Sequence, residues 1–535
     1  MKPPPDYRRY SWHDLGFQRN TFAKRGDFRT KIRRRRLVGG RRLGQASTEN
    51  KGLIRMTDTL ELSHWIGGEK VAGTRTGESL NPSDTRDVVA RTPKGGAAEV
   101  DQAVQAARAA FGPWADASPE VRSDVLDRAG TLLMERREVI GRLLSREEGK
   151  TLAEGIGETA RAARILKFFA GEALRLHGQN LASTRPGVEI QTYRQPVGVF
   201  GLITPWNFPI AIPAWKIAPA IAFGNTVVIK PAGPTPATAE ALIAILHEAG
   251  LPKGVVNMVI GDGDVGRAIV AHPDVDGISF TGSQKVGAGV AEGAMKRQAR
   301  VQLEMGGKNP LIVMDDADLE RAVNIALDGS FFATGQRCTA SSRLIVQDGI
   351  HDHFVAALAE KVKALRVGDA LDPSTQMGPA VTEAQRDVSY DYIDIAASGG
   401  GRVVAGGQRL SLDKPGWYVQ PTLIVDTLAD ARINNEEVFG PVASTIRVAD
   451  FEEALAVANG VEFGLSAGIV TQSLKHAREF QRRARAGMTM VNLATAGVDY
   501  HVPFGGTKKS SYGPREQGFA AADFYTQIKT SYSAS

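Results

Sequence analysis

The chain has 535 residues, 42% of them apolar and 23% charged, an ordinary soluble composition long enough for two or three domains with sizeable cores. That composition excludes a disordered, collagen-like or coiled-coil protein, and a single cysteine, Cys338, excludes an internal disulfide, a thiolate zinc cluster and an iron–sulfur site. The formal charge of +6 is unevenly spread: residues 1–55 hold 16 Lys/Arg against 4 Asp/Glu, a net of +12, which leaves −6 on residues 56–535.

The run Arg33-Arg34-Arg35-Arg36 has three readings. It suits an arm for nucleic acid or an anionic membrane; it suits a transit peptide, against which Asp6, Asp14 and Asp27 speak; or translation begins at the more ordinary Met56-Thr57-Asp58. We adopt the last, which makes 1–55 a dispensable basic extension expected to be disordered. No apolar segment precedes a small-residue cleavage site, so no secretion is inferred and a cytoplasmic location is expected.

Amphipathic helices are predicted over 99–111 and 120–148, and a strand over 184–195, where polar and apolar residues alternate. Residues 197–215 carry no charge over 19 positions, nominally enough to span a bilayer. Pro205, Pro209 and Pro213 break that helix. The segment reads instead as a strand over 198–203, a Pro-rich turn and a buried helix from near Ile212. Strands at 225–229, 255–260 and 277–280 then alternate with helices at 236–249, 265–271 and from 285, the pattern of an α/β domain with a mostly parallel sheet. A second alternating block runs over 309–486, and 524–533 reads as a last strand.

Within this frame Gly261-Asp262-Gly263-Asp264-Val265-Gly266 matches the dinucleotide fingerprint, after a strand and before a helix. The acidic residue expected about twenty positions on is missing. That distance brings Thr281-Gly282-Ser283, a second strand-to-helix turn and the better pyrophosphate candidate, because free amides and the helix dipole favour anions there. A lone cysteine is by default a small buried hydrophobe. Cys338, however, follows Gly335-Gln336-Arg337, where the arginine favours a thiolate and the glycine permits a close backbone approach. No histidine motif completes a cysteine hydrolase. Glu304, at the end of an apolar strand before Gly306-Gly307, is a carboxylate whose pKa desolvation raises towards that of a general base.

Seven motifs occur in order: Thr204-Pro205-Trp206-Asn207-Phe208-Pro209, Ile229-Lys230-Pro231-Ala232, Phe280-Thr281-Gly282-Ser283, Glu304-Met305-Gly306-Gly307, Gly335-Gln336-Arg337-Cys338, Glu437-Val438-Phe439-Gly440-Pro441 and Pro503-Phe504-Gly505-Gly506. Together they resemble the aldehyde dehydrogenase superfamily from about Leu60 to Thr530. The resemblance implies that Cys338 attacks the aldehyde, that Asn207 and the Cys338 backbone N–H hold the oxyanion, and that Glu304 activates the water that hydrolyses the thioester. It implies cofactor contacts from Trp206, Lys230, Gly282, Ser283, Glu437 and Phe439, with Gly261, Gly263 and Gly266 forming a turn near the adenine. NAD-preferring members often carry glutamate three positions after the lysine. Here Gly233 leaves room for a 2′-phosphate, so NADP is expected to be accepted beside NAD. The ending Ser511-Tyr512-Gly513-Pro514-Arg515-Glu516 departs by one residue from the usual glycine-rich form.

A finer resemblance, over 331–346, 492–503 and 510–518, is to bacterial α-ketoglutarate semialdehyde (2,5-dioxovalerate) dehydrogenases. A substrate ending in an α-keto acid needs a cationic anchor, for which Arg337, Arg161 and Arg164 are candidates, with Phe208, Ile212, Trp215, Phe332 and Phe504 as apolar walls. Succinate or glutarate semialdehyde is the alternative substrate. A nucleic-acid-binding or non-catalytic role through the tail and a cysteine hydrolase are the alternatives of other classes. No metal is expected. The implied architecture has a dinucleotide-binding Rossmann-type domain (56–183 and 197–306), an α/β catalytic domain (307–508) and a small β arm (184–196 and 519–535) pairing subunits in a homodimer or homotetramer.

Overall fold

Strands buried on both faces read as unbroken apolar runs, and Val199–Ile203 and Thr226–Lys230 are such strands. In the computed structural model, which describes residues 58–73 and 75–534, they lie in an eight-stranded sheet. The expectations for residues 1–55 lie outside the described residues. Five strands run parallel in the spatial order Arg300–Glu304, Gly277–Thr281, Val199–Ile203, Thr226–Lys230, Val256–Met258. Alternate side chains enter opposite cores, as a period of two requires. Phe200 and Leu202 join the helices Pro119–Glu135, Leu152–Ala173, Ala211–Ala222 and Pro236–Glu248 on one face. Val199 and Ile203 join Ala97–Asp116, Gly263–Ala271 and Gln284–Lys296 on the other.

The strand order reverses between Val199–Ile203 and Gly277–Thr281, and their carboxyl ends open a crevice of the kind in which α/β sheets bind ligands. A second sheet of seven strands lies in the order Arg402–Ala405, Thr422–Val425, Val442–Val448, Ser341–Gln347, Asn309–Val313, Ser466–Val470, Met488–Val491, all parallel except the first. The mixed α/β, mostly parallel class read from the sequence therefore holds. No described helix is long and apolar enough to cross a membrane; the uncharged stretch is a strand, a turn and the wholly buried helix Ala211–Ala222.

Several elements differ from expectation, among them the strand expected over 184–195, which begins only at Val188. Residues 120–148 form two helices, Pro119–Glu135 and Arg137–Glu148, because Arg136 leaves helical geometry (φ −98°, ψ 10°) while its guanidinium forks onto Glu248 at 2.5 and 2.6 Å. No glycine or proline marks that break. The final strand is Thr526–Ala534, not 524–533, since Phe524 and Tyr525 end a short helix and pack on Phe200 with ring centroids at 5.2 and 4.8 Å. It pairs with Val188–Pro196, which also pairs with Gln179–Ala182, a third strand the alternation reading omits.

Candidate active site

The carboxyl ends of the parallel strands bring the sequence candidates together. Strand Val199–Ile203 leads to Trp206 and Asn207, Thr226–Lys230 ends on Lys230, Gly277–Thr281 leads to Gly282 and Ser283, and Arg300–Glu304 ends on Glu304. The second sheet approaches with the amino ends of its strands. Cys338 precedes Ser341–Gln347, and Glu437 and Phe439 precede Val442–Val448. Asn309, at the start of the second-sheet strand Asn309–Val313, fixes the cysteine loop, its Nδ2 donating to the Cys338 and Ala340 carbonyls at 2.8 and 2.9 Å.

The cysteine loop is held in a costly shape. Ala333 (φ 50°), Thr334 (φ 57°) and Gly335 (φ 64°) are successive left-handed residues, and for side chains other than glycine this costs about 1 kcal/mol or more each. A Cβ at Gly335 would lie 2.3 Å from the Gly440 carbonyl, so only glycine fits there. Anchors over-determine the turn: Glu154 accepts from the Ala333 N–H at 2.8 Å, Thr334 donates to the Gly378 carbonyl at 3.0 Å, and Gln336 Oε1 accepts from the Val381 N–H at 3.0 Å. Asn207 Nδ2 donates to the Gln336 carbonyl at 3.0 Å, which leaves its second amide hydrogen for another acceptor. Burial first, then the carboxylates of Glu304 and Glu437, push the Cys338 thiol up to about 12, against the pull of the Cys338 and Thr339 backbone amides.

Glu304 is buried and accepts from Ser511 Oγ at 2.5 Å, in register with Ser511 on the antiparallel edge strand. A Cβ at Gly505 would come within 2.7 Å of its other oxygen, so the glycine makes room for the carboxylate. Burial and then the Glu516 carboxylate raise its pKa well above the usual range, opposed by Ser511, Lys216 and Arg515. Glu516 is ion-paired with Lys216, which also donates to Ser279 at 2.7 Å; both are fully buried. Sequence reading missed this pair because 300 positions separate its members. The one available signal was Lys216 itself, the sole charge in an otherwise apolar helix.

Cys338 lines two cavities. The first, about 270 Å³, is also lined by Trp206, Asn207, Gly282, Ser283, Glu437 and Phe439. Trp206 and Phe439 meet edge to face at 5.4 Å. Glu437 accepts from the Gly307 N–H at 2.9 Å, burial pushes it up to about 7, and a Cβ at Gly306 would fall 2.0 Å from its carboxylate. Ser283 precedes the helix Gln284–Lys296 without capping it, which leaves first-turn amides for an anion. Further along, Lys230, Gly263 and Gly266 line an apolar cavity of about 700 Å³ between the helices Gly263–Ala271 and Gln284–Lys296. Burial lowers Lys230 to about 8. Gly233 lines a neighbouring cavity of about 350 Å³. A Cβ there would meet only Asp262 Oδ1, at 4.0 Å, and Asp262 is paired with Lys94 at 3.0 Å. An amide-lined turn flanked by the buried Glu437 carboxylate and an apolar slot fits a dinucleotide.

The second cavity, about 290 Å³, is lined by Arg161, Arg337, Phe208, Trp215, Phe504 and Cys338. Arg161 lies over the Trp215 ring at 5.9 Å, its Nε has no partner, and burial lowers its pKa despite Glu158, Cys338 and Asp499. Arg337 donates to the Asp328 and Gly329 carbonyls and so closes the helix Leu319–Phe331, and it lies 3.9 Å from the Asp328 carboxylate, with its Nε unpaired. Three expectations fail here. Arg164, three residues beyond Arg161 and about 60° round the helix, is exposed and lines no part of this cavity. Phe332 packs on the core of the second sheet, leaving the wall to Ala333, and Ile212 lines the first cavity instead. Sequence reading also missed Lys150, Glu154 and Glu158, which line this cavity from the start of the helix Leu152–Ala173.

A family model described as the aldehyde dehydrogenase family matches residues 69–531. The chain is 44% identical over 473 residues to an alpha-ketoglutaric semialdehyde dehydrogenase of Bacillus subtilis, covering 87% of this chain and 97% of that protein. It is also 44% identical over 484 residues to an alpha-ketoglutarate semialdehyde dehydrogenase of Haloferax volcanii, covering 89% and 99%. Its fold matches the crystal structure of betaine aldehyde dehydrogenase from Staphylococcus aureus in complex with NAD+, with a TM-score of 0.87 at 34% identity over 89% of this chain and 95% of that one.

Proposed function

Because the chain belongs to the aldehyde dehydrogenase family, we propose that it oxidises a short carboxylate-bearing semialdehyde, 2,5-dioxovalerate to 2-oxoglutarate, with NAD+ or NADP+. The observation that carries this reading is the position of Cys338 at the junction of two cavities, one suited to a dinucleotide and one holding the half-buried Arg161. The two relatives at 44% identity bear the names of α-ketoglutarate semialdehyde dehydrogenases, which supports the substrate.

Cys338 attacks the aldehyde carbon as thiolate. The oxyanion of the resulting thiohemiacetal takes hydrogen bonds from Asn207 Nδ2 and the Cys338 N–H, donors typically worth about a hundredfold or more in rate. The nicotinamide, when bound, supplies the hydride acceptor that turns the thiohemiacetal into a thioester. Glu304 then removes a proton from water, and the hydroxide expels the Cys338 sulfur, leaving the carboxylate. A proton accepted by Glu304 enters a buried neighbourhood containing Ser511, Glu516 and Lys216. Glu437 and Lys230 would hold the two riboses, Gly282 and Ser283 the pyrophosphate, and Trp206 and Phe439 the nicotinamide end. Arg161, with the Nε edge of Arg337, would face the substrate carboxylate. Gly233 leaves room for a 2′-phosphate, although Asp262 faces the same space.

The exposed Leu181, Tyr193, Ile528 and Tyr532 on the three-stranded sheet support a role for it as the arm of a homodimer or homotetramer, and the domain division given above is retained as part of this proposal. Steady-state kinetics on 2,5-dioxovalerate, succinate and glutarate semialdehydes, betaine aldehyde and aliphatic aldehydes, run with each cofactor, test the assignment. The highest kcat/KM is expected for 2,5-dioxovalerate. A preference for uncharged or cationic aldehydes overturns it.

A further inference from the structure

The amide of Asn207 is useful only if the turn carrying it stays put, and that turn contains two prolines and no regular hydrogen-bond ladder. Its support comes from the adjoining helix. Lys150 lies in the short link between the helices Arg137–Glu148 and Leu152–Ala173, with its side chain 3% exposed. Its Nζ donates to Glu158 at 2.7 Å and to the Asn207 carbonyl at 2.6 Å, and stands 4.2 Å from the centre of the Phe208 ring. Glu158, 2% exposed, spends its other oxygen on the Ile210 and Ala211 N–H groups, both at 3.1 Å. One ion pair thus grips segment 207–211 at both ends. It also grips the start of the helix Ala211–Ala222, whose first residue has no side-chain cap. Burial alone would lower the Lys150 pKa, but Glu148 and Glu158 outweigh it and raise it, so the lysine stays charged.

We propose that Lys150 and Glu158 are positioning residues for the Asn207 amide, a buried ion pair that fixes the oxyanion donor relative to Cys338. The inference rests on the reading of Asn207 given above. A buried pair of this kind adds little net stability, whereas displacement of a catalytic donor by about 1 Å costs about a hundredfold.

The experiment is a double-mutant cycle in the full-length enzyme with K150M, N207A and the combined variant. Aldehyde kcat and KM, NAD+ affinity by fluorescence titration and thermal unfolding are read for each. N207A is expected to lower kcat about 10²- to 10³-fold, and K150M about a hundredfold with aldehyde KM and NAD+ affinity within about twofold. Because Lys150 acts through Asn207, adding K150M to N207A should cost no more than about threefold further. K150R should recover part of the loss, and E158Q, which keeps the side-chain shape, should reproduce the pattern if K150M does not accumulate as folded protein. Full additivity in the cycle, or a loss that follows NAD+ affinity, overturns the positioning role while leaving Asn207 its own. An N207A enzyme of undiminished kcat overturns both.

Discussion

The two cavities that meet at Cys338 are built by different means. In the first, proposed for the cofactor, backbone shapes much of the wall: the turn at Gly282 and Ser283, the close passage of Gly306 beside Glu437, and the strained Phe439 (φ 58°). On the aldehyde side, the wall is one face of the helix Leu152–Ala173, carrying Glu154, Glu158 and Arg161, with Lys150 just ahead of it. In the proposed reading the first cavity takes the dinucleotide largely through amides and glycines, whereas selectivity among aldehydes in the second falls to Arg161, a charged side chain that needs no special backbone.

The sharpest way to break this contrast is to remove the charge from the aldehyde side. R161M should lower kcat/KM for carboxylate-bearing aldehydes about 10- to 100-fold, the worth of a hydrogen bond to a charged group, and leave aliphatic aldehydes nearly unchanged. R164M, on the exposed side of the same helix, should do neither. Equal losses on both aldehyde classes would show Arg161 to be structural.

At the junction, burial and the facing carboxylates disfavour the thiolate. A raised pKa means less thiolate at any given pH, so iodoacetamide should alkylate Cys338 in the free protein at least about tenfold more slowly at pH 8 than it does a free thiol. The rate should still be climbing above pH 9. A plateau below pH 8 would contradict the electrostatic picture. On the cofactor side the expected effect is smaller. D262N removes the carboxylate facing Gly233 and should improve NADP+ affinity relative to NAD+ by about threefold to tenfold, read by fluorescence titration. An unchanged ratio would leave Lys230 and Gly233 as the only determinants.

The same contrast governs what could be read from the chain alone. Glycines and prolines that the backbone demands, as at Gly335 and Gly505, leave short strings that survive as motifs. For that reason the gathering of Cys338, Asn207, Trp206, Gly282, Ser283, Glu437 and Phe439 around one cavity, and the burial of Glu304, were legible. Side chains on an ordinary helix carry no such mark. Arg161 and Arg164 look alike in sequence, and only the packing of the helix against Ala211–Ala222 half-buries one and exposes the other. Long-range pairs such as Lys216 with Glu516 and Lys150 with the Asn207 carbonyl depend on the assembled sheet. The parallel strands were legible as apolar runs, but the break at Arg136 and the third strand of the small sheet were not, because tertiary contacts and not local residues set them.

In the proposed cycle Cys338 carries the acyl group between the two cavities and Glu304 releases it. This cycle is tested most directly by mixing the E304Q enzyme with 2,5-dioxovalerate and NAD+ and following both reduced cofactor and the mass of the Cys338 peptide. A burst of one reduced cofactor per active site is expected, then turnover slowed about 10²-fold or more, with the acyl mass on Cys338. A reaction without a burst, or the added mass on any other residue, would contradict it.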